Sequence, residues 1–254
     1  MDMEIVDRET WTDARKNLLA KEKAFTRTRD ELNAERRRMP VVRIDEDYRF
    51  TGPTGAALTL DDLFEGRRQL VVYHAMWLDD ARRACPSCSC FLDQIGHLAH
   101  LNARDTTFAA ISRGPYDEIA AFKQRMEWTF PWYSSRGSDF NYDFHVTFDE
   151  SVAPISYNYL TLPELADRGF SLDGWEQPFD LHGLSCFLRH DGSVFHTYSA
   201  YARGTDNLGF LSDLLDVTYL GRQEEWEEPK GRATALGAGA GSPTLRYHDE
   251  YVTS

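Results

Sequence analysis

The sequence predicts an α/β fold: a central mixed sheet with flanking helices, an N-terminal helical extension and a flexible C-terminal tail. Three observations carry this expectation. The apolar run "QLVVY" at 69–73 reads as a central, fully buried strand. Beyond it, "FLDQIGHLAHLNARD", "TTFAAIS" and "YDEIAAFKQRMEW" alternate helix, strand and helix, the rhythm of a parallel sheet. Later, "LSCFLRHDGSVFHTYSAY" reads as an antiparallel hairpin that turns at Asp191–Gly192.

Taken in order, residues 1–40 hold an amphipathic helix, with Trp11, Leu18, Leu19, Phe25 and Leu32 on a helical period and Thr10 and Asp13 spaced like a capping box. The helix ends before Pro40, and Arg36, Arg37 and Arg38 complement its C-terminal dipole. Residues 41–221 form the main domain. It opens with short strands around Gly/Pro turns and a small helix near Asp61–Phe64, then enters the central strand. Residues 128–148 are aromatic with little periodicity, residues 149–181 read as an irregular insertion, and "NLGFLSDLLDVTY" closes the domain as a helix after the hairpin. From 222 to 254 the Gly, Ala, Ser and Pro content and the loss of periodicity mark a disordered tail.

The 254 residues carry a formal net charge of -13, and it is unevenly placed. Residues 1–43 hold 11 Lys and Arg against 9 Asp and Glu, which leaves 17 basic against 32 acidic residues in the rest. An acidic body repels phosphate, so nucleic acid and anionic membrane are poor partners. The start "MDMEIVDRETW" has no apolar signal region and no stretch is long enough to span a bilayer, so the expected location is cytoplasmic. There is no P-loop, no H-E-x-x-H and no G-x-S-x-G.

The chemistry concentrates in "ACPSCSCF" at 84–91. Cys85 and Cys88 sit between the buried strand and a helix, and Pro86 suits a first helical turn. There the unpaired N–H groups stabilise a thiolate, so Cys85 titrates below a free thiol and Cys88, one turn on, shares its helix face. Cys85 can then attack a disulfide and Cys88 resolve the intermediate. Cys90 points elsewhere, and Cys186 reads as a small core residue in an apolar strand. A four-cysteine zinc site lacks its second pair, whereas a mixed Cys/His site stays open through His74 or His182.

The runs "FTGPTGAALTLDDLFEGRRQLVVYHAMW", "CPSCSCFLDQIGHLAHLNARDTTFAAISRGP", "RMEWTFPWYSSRGSDFNYDFHV" and "FHTYSAYARGTDNL" together resemble a bacterial thioredoxin-like family, family 899 of the domains of unknown function. The resemblance runs from Trp11 to about Gly221 and implies a thioredoxin-like fold, without fixing a reaction. Two departures from the wider superfamily follow. The cis-proline that thioredoxins place beside the C-x-x-C falls here at Leu184 or a close neighbour, where no proline stands, and this brings His182 into contention. The Pro-x-x-x-Thr-x-x-Cys loop of peroxiredoxins is absent from "WLDDARRAC".

The leading expectation is a thiol–disulfide oxidoreductase of narrow range, acting on a small-molecule or protein disulfide. Cys85 is its nucleophile and Cys88 its resolving thiol, with Trp132, Tyr133, Phe140 and Tyr142 on the substrate side. The alternative is a metal-binding protein in which Cys85 and Cys88, with His74 or His182, hold copper, zinc or iron. A third reading is a binding scaffold with inert thiols. No oligomeric state follows from the sequence.

Overall fold

The computed structural model describes residues 4–172, 174–208, 225–226, 230–231, 233, 247 and 250. Two compact units are present, residues 1–41 and 42–254.

In the first unit, Arg8–Arg36 form helix α1. Its N-cap is Asp7, whose carboxylate accepts the Thr10 N–H at 2.8 Å. The cap therefore lies a turn before the expected Thr10–Asp13 box, because Asp7 is extended and free to reach back over the orphan N–H groups. No residue of α1 is buried, and Trp11, Leu18, Phe25 and Leu32 are all exposed on it.

The second unit begins with β1 (Val42–Arg43), β2 (Arg49–Thr51) and β3 (Ala57–Thr59), then a 3-10 turn at Asp62–Phe64 and β4 (Gln69–His74). A small hairpin, β5 (Trp77–Leu78) and β6 (Arg83–Ala84), leads into α2 (Pro86–Leu92), and α3 (Ala99–Asn102) precedes β7 (Thr106–Ser112). Next come α4 (Tyr116–Arg125), β8 (Trp132–Ser134), α5 (Phe140–Asp143) and β9 (Thr147–Phe148). The insertion contributes β10 (Ser156–Tyr157), β11 (Leu160–Thr161), α6 (Leu162–Ala166) and β12 (Phe179–Asp180). The hairpin β13 (Gly183–His190) and β14 (Ser193–Tyr201) is followed by a 3-10 segment, Ala202–Leu208.

The eight-stranded sheet runs β1-β14-β13-β4-β7-β8-β2-β3. Strands β4, β7 and β8 are parallel, joined by helical crossovers, while β13 lies antiparallel to β4 and β14 to β13. A parallel β4–β7 pair flanked by an antiparallel β13–β14 hairpin, with a C-x-x-C opening the helix after β4, is a thioredoxin-like arrangement. The hairpin turns where expected: Asp191 and Gly192 both adopt positive φ, 47° and 73°, the two-residue turn whose twist matches the strands. The helix expected over "FLDQIGHLAHLNARD" is broken instead, with α2 ending at Leu92 and α3 starting at Ala99. Gly96 lies in the break, where its poor helix propensity tells. The closing helix expected from Asn207 lies almost wholly outside the described residues.

Two cores flank the sheet. One gathers Tyr73, Trp77, Cys85, Cys88, Leu92, Phe122 and Trp132; the other gathers Leu70, Val72, Tyr133, Phe140, Phe144 and Phe187. Alternation along β4 explains the division, since Tyr73 faces the cysteines and Leu70 and Val72 face the other side. A third cluster, around Phe148, Tyr157, Leu165, Leu181 and Tyr201, packs the insertion. Among the described residues no helix is long and apolar enough to cross a membrane.

Candidate active site

Cys85 is the N-cap of α2, extended at φ -60° and ψ 139°, and Pro86 follows in the first turn. The residue is pinned by its backbone: its N–H donates to Met76 C=O at 3.0 Å, and its C=O accepts the Ser89 N–H at 2.9 Å and the Ser89 hydroxyl at 3.1 Å. All four cysteines are free thiols. Cys85 keeps 7% of its surface exposed and Cys88 keeps 1%.

The two thiols are made unequal by their surroundings. Cys85 is lowered to about 5, chiefly because the Cys88 thiol donates a hydrogen bond to it, with further help from the Ser87 hydroxyl and the backbone N–H groups of Cys88 and Ser87; burial opposes this. The Ser87 hydroxyl lies 3.2 Å from the Cys85 sulfur. Cys88 is raised well above an ordinary thiol, first by burial and then by its bond to Cys85. Its sulfur accepts the Met76 N–H at 3.4 Å, and the Tyr73 hydroxyl donates to it. Tyr73 is itself fixed by stacking on Phe91 at 4.2 Å. Burial raises Cys90 and Cys186 to about 11, Cys90 with an added push from Asp93, so both are protonated near neutrality.

The histidines are placed differently. His74 is held with the second core, its ring stacked on Phe140 and Phe144 at 5.4 and 5.8 Å and its Nε2 2.8 Å from Ser185 Oγ. That is the sheet face opposite the cysteines. Burial pushes it down to about 3, with His196 adding to the effect, so it is neutral. His182 immediately precedes Gly183, which pairs with His74 across β13 and β4. The His182 Nε2 donates to Ala202 C=O at 3.3 Å, and burial lowers its pKa although the Cys85 charge pulls the other way. Among the described residues, no group of three or more His, Cys, Asp or Glu side chains is disposed to hold a metal ion.

Of the four aromatic residues expected on the substrate side, only Trp132 belongs to the core that contains the cysteines, where its Nε1–H donates to Ser112 Oγ at 3.1 Å. Tyr133 and Phe140 belong to the opposite core. Tyr142 is half-buried beneath the Arg113 guanidinium and lines a cavity of about 390 Å³ with Asp139, Asp143, His145 and Asp149.

Two features were not visible from motif spacing. Asp180 is buried just ahead of β13 and accepts Arg113 Nε at 2.7 Å, the Thr147 hydroxyl at 2.8 Å and the Trp77 N–H at 3.3 Å. Tyr247, within the stretch expected to be a disordered tail, is 1% exposed and packs into the cysteine-side core. Nothing local in the sequence announces either contact.

Among solved structures, the chain is similar to peroxiredoxin Q of Xanthomonas campestris, at 14% identity over 60% of this chain and 78% of that one with a TM-score of 0.40. It is also similar to the peroxidoxin BcpB of Mycobacterium tuberculosis, at 15% over 64% and 83% with a TM-score of 0.41. A mutant of PrxQ from Xylella fastidiosa gives 12% over 67% and 92% with a TM-score of 0.42. These likenesses are distant and assign no chemistry. No curated protein matches the sequence. The model of DUF899, described as bacterial protein of unknown function, matches residues 1–251, and the chain belongs to that family.

Proposed function

We propose that the protein is a thiol–disulfide oxidoreductase of narrow substrate range, acting through Cys85 and Cys88 on a protein or small-molecule disulfide. The observation that carries this reading is the asymmetric pair at the start of α2. A poised thiolate at Cys85 receives a hydrogen bond from a buried, protonated Cys88 one turn later. A nucleophile with a value near 5 is ionised at neutral pH, and the buried partner holds its proton until it is needed.

The reaction balances as two exchanges. The Cys85 thiolate attacks one sulfur of the substrate disulfide, the Cys85–substrate bond forms as the S–S bond breaks, and the departing thiolate takes a proton from solvent. Cys88 then gives up its proton and attacks the Cys85 sulfur. The second substrate thiolate leaves and is protonated, and the protein keeps the Cys85–Cys88 disulfide. An external dithiol restores the reduced pair by the reverse exchange. The small exposure of Cys85 favours a narrow range. A reducing cytoplasm suits a resting dithiol, and the net charge of -13 disfavours nucleic-acid partners. The metal reading gains no support, because His74 lies across the sheet and, among the described residues, His182 and the two cysteines do not form a group disposed to hold a metal ion.

The test is interception of the mixed disulfide. Cys88→Ser removes the resolving sulfur, so incubation with an oxidised protein or glutathione disulfide should leave a stable adduct on Cys85, visible as an intact-mass increment that dithiothreitol reverses. Wild type should show none at steady state. Equal absence of adduct in Cys88→Ser across all disulfides tried would overturn the assignment.

A further inference from the structure

Tyr247 lies against the residues that lead directly into the nucleophile. Its hydroxyl donates to the Ala84 carbonyl at 2.5 Å, one residue before Cys85. Its ring meets Phe122 edge-on at 5.4 Å, with the Arg83 and Arg125 guanidinium groups each 5.1 Å from its centre. Three residues on, Glu250 pairs with Arg125 at 3.0 Å, and its N–H donates to the Tyr247 carbonyl at 3.0 Å. The surface beside Cys85 thus presents a carbonyl acceptor, an aromatic wall and two guanidinium groups. It is filled by an aromatic side chain followed by a carboxylate. Arg83 also keeps its Nε–H buried without a hydrogen-bond partner among the described residues. A donor in that position calls for an acceptor that Tyr247 and Glu250 do not supply.

An oxidoreductase acting on proteins must seat the polypeptide that flanks the target disulfide beside its nucleophile. Strand β6 carries Arg83 and Ala84 into Cys85, so a chain bound along it brings its own sulfur near the thiolate. We propose that the surface formed by Arg83, Ala84, Phe122 and Arg125 is the docking site for a protein substrate that presents an aromatic residue followed by acidic ones, and that Tyr247 and Glu250 occupy it in cis as competitors. This rests on the oxidoreductase reading and deepens it, because it selects a polypeptide over a small disulfide. The partly exposed Glu250–Arg125 pair is weak, whereas the buried Tyr247 ring and its hydroxyl bond to Ala84 are what hold the segment, so a substrate in trans must displace that ring.

The test reads access to the thiolate, with no turnover involved. Iodoacetamide alkylates Cys85 as the thiolate displaces iodide and an S–C bond forms. Full-length wild type, Tyr247→Ala and Glu250→Lys are compared at neutral pH, with Cys85 followed by peptide mass. Tyr247→Ala should alkylate faster by at least about tenfold, the scale of a site closed nine-tenths of the time or more in wild type. A synthetic peptide of residues 244–254 added in trans should slow Tyr247→Ala again, whereas the same peptide carrying Tyr247→Ala and Glu250→Lys should not. Should Tyr247→Ala fail to fold, Glu250→Lys, which opposes Arg125 without emptying the core, must still show faster alkylation. Equal rates in wild type and the folded variants, or a peptide without effect, overturn the proposal. Because alkylation needs no disulfide substrate, these outcomes are independent of whether the protein proves to be an oxidoreductase.

Discussion

Cys85→Ser is expected to lower disulfide reduction by at least about 10³-fold, the order lost when a covalent nucleophile is removed while its surroundings remain. The side chain is nearly isosteric, and the backbone bonds that fix residue 85, to Met76 C=O and from Ser89, do not involve the sulfur. The fold should therefore persist, with circular dichroism and thermal midpoint close to wild type. The serine hydroxyl stays protonated at all accessible pH values, so the Cys88 hydrogen bond that favours a thiolate has no anion to stabilise. Steady-state assay with oxidised protein or insulin-type disulfides and an external dithiol checks this. Undiminished activity in Cys85→Ser would move the chemistry elsewhere, and Cys90 and Cys186, both raised to about 11, make poor substitutes.

The largest effect on stability is expected at Asp180. Its carboxylate, 3% exposed, is the shared acceptor of Arg113, Thr147 and the Trp77 N–H, and it ties β12 and β9 to the loop after β7 and to the hairpin that precedes Cys85. Burial pushes its carboxyl above the ordinary value, and these donors oppose the shift. Asp180→Ala leaves a guanidinium, a hydroxyl and a backbone N–H without their acceptor at once. Breaking a buried pair from one side costs about 3–5 kcal/mol. Arg113 retains 18% exposure, which lets water reach its guanidinium and places the loss near the lower end, about 3 kcal/mol. For a domain of this size that is a fall of roughly 6–12 °C in thermal midpoint. Asp180→Asn preserves the volume and part of the hydrogen bonding, so it should fall by less. A midpoint unchanged in Asp180→Ala, measured by calorimetry on the reduced protein, would show that the cluster contributes no stability.

The contrast between these sites shows what was legible in the sequence. The strand at 106–112, the Asp191–Gly192 turn and the helix opening at Pro86 follow from local pattern: continuous apolar residues, a turn dipeptide, and a proline at a first helical turn. The Cys85–Cys88 pair followed from the same local logic, since three residues are one helical turn. Contacts made across the sheet left no such trace. His74 and Tyr73 are neighbours in sequence, yet pleating sends His74 to Phe140 and Tyr73 to Cys88, so a histidine close to the cysteines along the chain is far from their chemistry. Tyr133 and Trp132 divide in the same way. Asp180 meets Arg113, and Tyr247 meets Ala84, only because the fold closes loops of 67 and 163 residues, which no local period records.

The rate of Cys85 alkylation as a function of pH tests the central claim most directly. Each cysteine is resolved by peptide mass, so Cys85 can be followed alone. The rate is proportional to the thiolate fraction. With Cys85 lowered to about 5, it should be level from pH 6 to 9 and fall tenfold per unit below about 5. Replacing Cys88 by alanine removes the largest cause of that lowering and should move the midpoint upward. A wild-type rate that still climbs tenfold per unit between pH 6 and 8, as for a free thiol near 8.5, would contradict the account, because Cys85 would then be an ordinary buried cysteine.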